Sequence, residues 1–326
     1  TNPVEEYNSK YLHRIDMTYA LDASDFGSDE YRVFVADTDN LRGNELRGAL
    51  IDKLYSAGVR VVAVPDGAAA GVLLDNYLQT GNTGSLDSYL SVLPADRRDS
   101  ARTLWEHVRT RYPGVFHAAG LGADARSATV GKALTVLANA SHNTPETEIA
   151  EAVQAIRSGT TSNAVYWFKT AMYYAMQGTL NVADDSELPT YDAKQLLKTY
   201  KKDGILIFTD EASALMTEGS MASELQAQLD KQKYGEDEDP QRVCAIGAVY
   251  GTWSNAGSFT PDDTETAWDA DSLTEALGSD ALRGKDMLLA LDGEDSPYLT
   301  ENCLLKDTDT PVAEQVQKLF VLDKIN

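Results

Sequence analysis

Cysteine is nearly missing. The 326 residues carry two, Cys244 and Cys303, and neither has a second cysteine or a histidine at a metal-ligand spacing. A disulfide scaffold and a zinc knuckle are thereby excluded, and two reduced thiols in a reducing compartment are expected. Histidine is scarce too: His13, His107, His117 and His142 form no HExxH and no His-x-His pair. Zinc and haem chemistry have little to work with. No apolar run is long enough to span a bilayer, so no membrane partner is expected. The polar, acidic opening TNPVEEYNSKYLHRID lacks the basic and apolar regions of a signal peptide, which predicts no secretion signal. Phosphate loops of the GxxxxGK[ST] type and the nucleophile motifs GxSxG and SxxK do not occur.

What is present is acid. The net charge is −23, with 43% hydrophobic residues, so the chain is globular in composition and strongly anionic. The charge is uneven. Residues 1–202 balance to −5, whereas residues 203–326 carry 8 basic against 26 acidic side chains. Within the first part, residues 97–132 hold Arg97, Arg98, Arg102, Arg109, Arg111, Arg126 and Lys132 against three acids, a local +4. The molecule is dipolar, basic in the middle and acidic toward the end.

Periodicity predicts a strand over 31–36 (YRVFVA), a helix over 44–58 with Leu46, Leu50 and Leu54 on one face, and a strand over 59–64 (VRVVAV). This is a small βαβ-like element. Helices are then expected over 97–111, 127–140, 144–159, 160–178 and 190–202. GILIFT (204–209) reads as a strand and 210–232 as helical. YGEDEDPQ (234–241) reads as an acidic, solvated loop. VCAIGAVYG fits a strand or a buried helix equally, because periodicity cannot separate them. Short helices are expected around Leu273–Leu277 and Pro311–Leu319.

Several stretches carry candidate chemistry. Asp37 and Asp39 follow a hydrophobic strand, where carboxylates can hold Mg²⁺ and position a phosphate. With Asp66 they form a possible metal set. VFVADTDN…AGVRVVAVPDG resembles haloacid-dehalogenase-type hydrolases, but Pro65-Asp66 stands where Ser or Thr would end the second strand. The plainer reading is a polar turn in which Asp39 or Asn44 caps the next helix. GILIFTDEASAL has the form of an NTPase metal strand but lacks its phosphate loop. Tyr166, Trp167, Phe168, Tyr173 and Tyr174 could stack RNA bases, although the interleaved Ala and Met residues suit a buried helix. The arginines of 97–132 suit phosphate, because the guanidinium fork binds it bidentately. Lys169, Lys194, Lys198, Lys201 and Lys202 would make a second basic wall.

NPVEEYNSKYL, LRGALIDKLYSAGVRVVAVPDGAAAGVLLD (46–75), VLPADRRDSART (92–103), SNAVYWFKTA and ADDSELPTY resemble, in that order, stretches of nucleoproteins of non-segmented negative-strand RNA viruses. The likeness is to rhabdovirus-like and bornavirus-like members. It implies two mainly helical lobes clamping RNA in a basic cleft, lateral self-assembly and no catalysis.

The expected fold is therefore mainly α with a small α/β element near the N-terminus. Lobes are expected at 1–142 and 143–326. The expected function is RNA coating without sequence preference, in a virion and in host cytoplasm or nucleus. The chain itself, the RNA backbone and other viral proteins would be partners, and no cofactor is expected. The RNA contacts would be Arg97, Arg98, Arg102, Arg109, Arg111, Arg126 and Lys132, facing Lys169, Lys194, Lys198, Lys201 and Lys202. Two alternatives are a Mg²⁺-dependent phosphohydrolase using Asp37, Asp39 and Asp66, and a capsid or scaffold protein that binds no nucleic acid.

Overall fold

A computed structural model describes residues 3–17, 31–122, 127–140, 187–232, 235–236, 238, 241–255, 259–262, 284–300 and 309–324. These residues form two compact units. Unit 1 comprises Thr1–Val59 with Leu206–Asn326, and unit 2 comprises Arg60–Ile205. The first and last stretches of the chain thus build one unit, whereas the lobes expected from sequence divide the chain once, at 142.

Unit 1 holds α1 (Pro3–Tyr11), β1 (Leu12–Arg14), β2 (Tyr31–Asp37) and α2 (Gly43–Tyr55) from the first stretch. In unit 2 and at its borders lie β3 (Val59–Val64), α3 (Ala68–Thr80), α4 (Thr83–Leu90), α5 (Arg98–Arg111), β4 (His117–Gly120), α6 (Ser127–Ala140) and α7 (Leu188–Thr199). The chain returns to unit 1 through β5 (Gly204–Thr209), α8 (Glu211–Ala214), α9 (Met221–Asp230), β6 (Arg242–Trp253), β7 (Phe259–Pro261), β8 (Met287–Ala290), α10 (Val312–Gln315) and β9 (Lys318–Asp323).

The strands of unit 1 run in the order β1-β8-β9-β6-β2-β5, with β7 on β6. β2 and β9 each pair parallel to β6, in registers that include Phe34↔Cys244 and Val249↔Val321. β1, β7 and β8 pair antiparallel to their neighbours. In unit 2, β3 and β4 pair parallel from Val61↔His117 to Val64↔Gly120. This corrects the mainly α expectation: among the described residues, nine strands in mixed pairing make an α/β fold. The error has a physical origin. VCAIGAVYG, left open between strand and helix, lies inside the twelve-residue β6, and Lys318 and Leu319, read as the end of a helix, open β9, which is buried at every position. Strands buried on both faces show no alternation and imitate buried helices.

The core follows from these runs. β2, β5, β8 and β9 are buried at every position. α1 lies on β8, where the Tyr7 hydroxyl donates to Ala290 O at 2.5 Å and accepts Gly293 N–H at 2.8 Å. Burial pushes that phenol up to about 12, so it stays a donor. In unit 2, α3 meets β4 at glycine pairs. A Cβ on Gly120 would lie 1.7 Å from Gly67 O, so no side chain fits there. Trp105 of α5 is fully buried and meets Tyr89 edge-on at 6.4 Å.

Several expectations hold. The 31–36 strand, the helix after it and the 59–64 strand are present, as are α5, α6, α7 and β5. The stretch 210–232 is two short helices, α8 and α9. The helices expected at 144–159, 160–178 and 273–277 lie outside the described residues, as does half of YGEDEDPQ. Among the described residues no helix is long and apolar enough to cross a membrane.

Candidate functional site

β2 ends at Asp37 and β5 ends at Thr209, and the two strand ends are tied side by side by Thr38 N–H donating to Thr209 O at 3.0 Å. The carboxyl ends of strands in open α/β sheets are where such folds place ligands. The turn that follows β2 is closed by its own polar groups. Asp37 Oδ1 accepts Asp39 N–H at 3.1 Å, Asn40 N–H donates to Thr38 O, and Asn40 Oδ1 accepts Arg42 N–H at 2.9 Å. α2 then starts at Gly43, where a Cβ would lie 1.9 Å from Thr38 O. Arg42 is the N-cap residue of α2 and makes no side-chain cap bond, so neither Asp39 nor Asn44 caps the helix as expected.

Asp37 is 7% exposed. Burial pushes its carboxyl up to about 7. The Asp39 N–H works against the rise, while the charges of Glu211, Asp39 and Asp210 add to it. Asp210 and Glu211 stand just beyond β5, and Asp210 caps α8 by accepting Ser213 N–H at 2.9 Å. Asp210 thus has a structural task as well as an electrostatic one. A cation joins the same strand end: Arg47 Nε donates to Thr38 Oγ1 at 3.0 Å, and its guanidinium lies 5.0 Å from the Phe208 ring centre. The result is a carboxyl group poised between its two protonation states near neutral pH, which is the requirement for a general acid–base.

The metal set foreseen from sequence is not assembled. Asp66 belongs to unit 2, where its carboxylate accepts the Tyr89 hydroxyl at 2.7 Å. Among the described residues no group of three or more His, Cys, Asp or Glu is placed to hold a metal ion.

The basic residues of unit 2 are largely engaged in its architecture. Arg98 donates to the carbonyls of Leu93 and Ser91 at 3.0 and 3.2 Å, and Arg109 to those of Leu78 and Gln79 at 2.9 and 3.1 Å. Arg102 pairs with Asp87 at 2.7 Å and Glu106 at 3.7 Å. Arg111 lies against Tyr112, and Lys132 reaches Ser88 Oγ at 3.3 Å. Arg97 and Lys194 are half-buried, and Lys198, Lys201 and Lys202 are exposed. Arg126 and Lys169 lie outside the described residues.

Sequence reading singled out the Asp37 turn and the Asp210-Glu211 pair separately, each as part of a different metal motif. What it missed is that the two converge, and that Arg47 joins them. A strand ending in acid occurs twice, in VFVAD and ILIFTDE, and that repetition is the signal from which the convergence could have been guessed.

No known family and no curated protein matches the chain. Solved structures do. A Bacillus cereus protein shares 11% identity at a TM-score of 0.59, over 99% of this chain and 97% of its own. A protein titled as a succinoglycan biosynthesis protein shares 14% at 0.59, over 99% and 96%. A histidine-to-asparagine mutant of an erythromycin esterase, in its open conformation, shares 12% at 0.53 over 90% of each chain. At these identities the likeness is one of fold.

Proposed function

We propose that this chain is a hydrolase that cleaves a carboxylic ester with Asp37 as general base. The observation that carries the reading is the position of Asp37. It is a buried carboxyl held at about 7, at the carboxyl end of a central strand, with three further carboxylates around it. A group titrating there is half-deprotonated at neutral pH, so it both accepts and returns a proton. Water, polarised by the Asp37 carboxylate, attacks the ester carbonyl carbon while its proton passes to Asp37. The tetrahedral adduct then expels the alkoxide, which takes that proton back from Asp37 and leaves as the alcohol. Arg47 supplies positive charge at the same strand end. The ester as substrate class comes from the erythromycin esterase that shares the fold.

The test is hydrolysis of erythromycin and of aryl and alkyl esters by the parent and by Asp37→Asn. The parent's kcat/KM should rise with pH through about 7. The variant should lose at least about 100-fold, the contribution of a positioned general base. Removing Asp39 by Asp39→Asn should move the profile to lower pH, because one charge that raises Asp37 is gone. Turnover indifferent to Asp37, or none on any of these esters, would count against the proposal.

A second reading, RNA coating by a viral nucleoprotein in virion and host cell, rests on the exposed Lys198, Lys201 and Lys202 at the end of α7. Its test is whether RNA co-purifies, read as the 260 to 280 nm absorbance ratio.

A further inference from the structure

Among the groups that the Asp37 site does not use, one cluster in unit 2 joins three elements. His117 opens β4, and its Nδ1 lies 3.1 Å from Oδ1 of Asp75, in the middle of α3. The same oxygen accepts Ala118 N–H at 2.9 Å. The ring of Tyr200, at the end of α7, stands 5.7 Å from the imidazole, tilted by 35°. Asp203, three residues further on, acts by its charge on both His117 and Tyr200, as Asp75 does. α3, β4 and the connection from α7 to β5 therefore meet at one imidazole.

A carboxylate oxygen can only accept, so Asp75 fixes the proton of the neutral imidazole on Nδ1. The nitrogen that titrates is then Nε2, which has no hydrogen-bond partner among the described residues. The side chain is 43% exposed, so solvent reaches it. The charge around it is one-sided. Among the described residues, Asp75 and Asp203 are the charges that act on it; Arg60 on β3 and Lys198, Lys201 and Lys202 around the end of α7 are not among them. Protonated, the imidazole offsets two carboxylates carried by different elements. Neutral, it leaves those like charges uncompensated, and they repel each other. The hydrogen bond to Asp75, with the charges of Asp75 and Asp203, outweighs partial burial and raises the imidazole above the ordinary histidine value. The stabilisation is therefore complete below that ordinary value and is lost as pH rises through the raised one.

We propose that His117 is a pH-operated clasp: protonated, it holds residues 200–203 against α3 and β4, and on losing its proton it lets them go. The clasp stands apart from the Asp37 reading and does not depend on it.

Trypsin cuts after lysine, and Lys201 and Lys202 are exposed within the clasped segment. The experiment is limited trypsin digestion of the whole chain between about pH 6 and 8, the range in which histidine titrates. The cuts after Lys201 and Lys202 are followed by mass spectrometry. Each rate is divided by that of a free peptide of residues 196–206, so that the protease's own pH dependence cancels. Cleavage that needs local opening tracks the open population. The corrected rate in the parent should rise several-fold with pH. His117→Gln cannot carry the charge, and should be cut at one rate throughout, close to the parent's at the upper pH. Asp203→Asn, at a half-buried position, should shrink the rise and lower the titration point of His117 read by NMR. It serves alone if His117→Gln folds poorly. A parent rate flat in pH, an equal rise in His117→Gln, or a His117 titration unmoved by Asp203→Asn overturns the proposal.

Discussion

Lys318 and Asp292 form an ion pair of 2.5 Å at the start of β9, and the lysine side chain is 1% exposed. The second oxygen of Asp292 accepts the Tyr31 hydroxyl at 2.5 Å, and Arg242 lies 5.0 Å from the Tyr31 ring centre. The pair thus joins the first residues of β2, β6 and β9. Removing one partner leaves the other charge buried and uncompensated, at a cost of about 3–5 kcal/mol. Asp292→Ala should therefore lower the urea midpoint strongly. Adding Lys318→Met to that background should restore much of the loss, because the stranded charge is gone. A double variant no more stable than Asp292→Ala would refute this account.

The protonation of Asp37 predicts a pH dependence of stability. Its folded value, about 7, lies above the ordinary carboxylate value, so the folded protein holds a proton that the unfolded chain has released. Stability is then fully present below about pH 4, falls as pH rises toward 7, and levels off above it. A rise of about three pH units corresponds to up to about 4 kcal/mol. Asp37→Asn, which cannot ionise, should flatten this fall and should melt higher than the parent at pH 8. Thermal melts of both proteins between pH 4 and 8 check it, and parallel curves would contradict the burial-driven rise.

Gly43 is required by close approach rather than by an unusual backbone angle. Its missing side chain leaves room for the Thr38 carbonyl, 1.9 Å from where a Cβ would stand. Gly43→Ala should destabilise by about 1–3 kcal/mol, as overpacking does. It should also disturb the turn that carries Asp37, lowering ester turnover beyond what the stability loss explains. A melting temperature equal to the parent's would show that α2 can shift freely.

Arg98 and Arg109 point inward to backbone carbonyls of the α3 and α4 ends, while Arg102 pairs with carboxylates at the surface. Loss of a charged donor to a part-buried carbonyl costs about 1.5–3 kcal/mol, whereas an exposed ion pair is worth roughly 0–1 kcal/mol. Arg98→Gln and Arg109→Gln should each shift the urea midpoint clearly, and Arg102→Gln should barely move it. Charge reversal at Arg98 and Arg109 is thus a poor probe of RNA binding, because the fold would suffer first. Lys198→Glu with Lys201→Glu and Lys202→Glu is the cleaner probe.

Which parts of this were legible in advance follows from how each element is buried. β2, α2 and β3 could be read because their strands are β-branched and α2 repeats leucine at helical spacing. β8 and β9 could not, since strands covered on both faces lose their alternation and MLLA and KLFVLD carry no period, and for the same reason β6 stayed undecided between strand and helix. The mainly α expectation failed there. The Asp37 turn was visible as a candidate, but its chemistry was not. Its burial depends on neighbours, and Asp210 and Glu211 reach it from more than 170 positions away. Arg98 and Arg109 show the converse: arginine density in sequence does not reveal that a guanidinium is bound to carbonyls.

The division of unit 1 between two distant stretches of chain sets an order of events during synthesis. Unit 2 is one continuous stretch, and its parallel pair β3–β4 closes over about 50 residues. β2 has to wait for β6, with Phe34 opposite Cys244, and β6 has to wait for β9. While the ribosome works through the intervening residues, β2, buried at every position in the finished fold, has no partner on its β6 side. Contacts of such long range are slow to form, and an unpaired apolar strand invites wrong pairing. The nascent chain is therefore most exposed to aggregation, and most in need of a chaperone, between the emergence of β2 and that of β6.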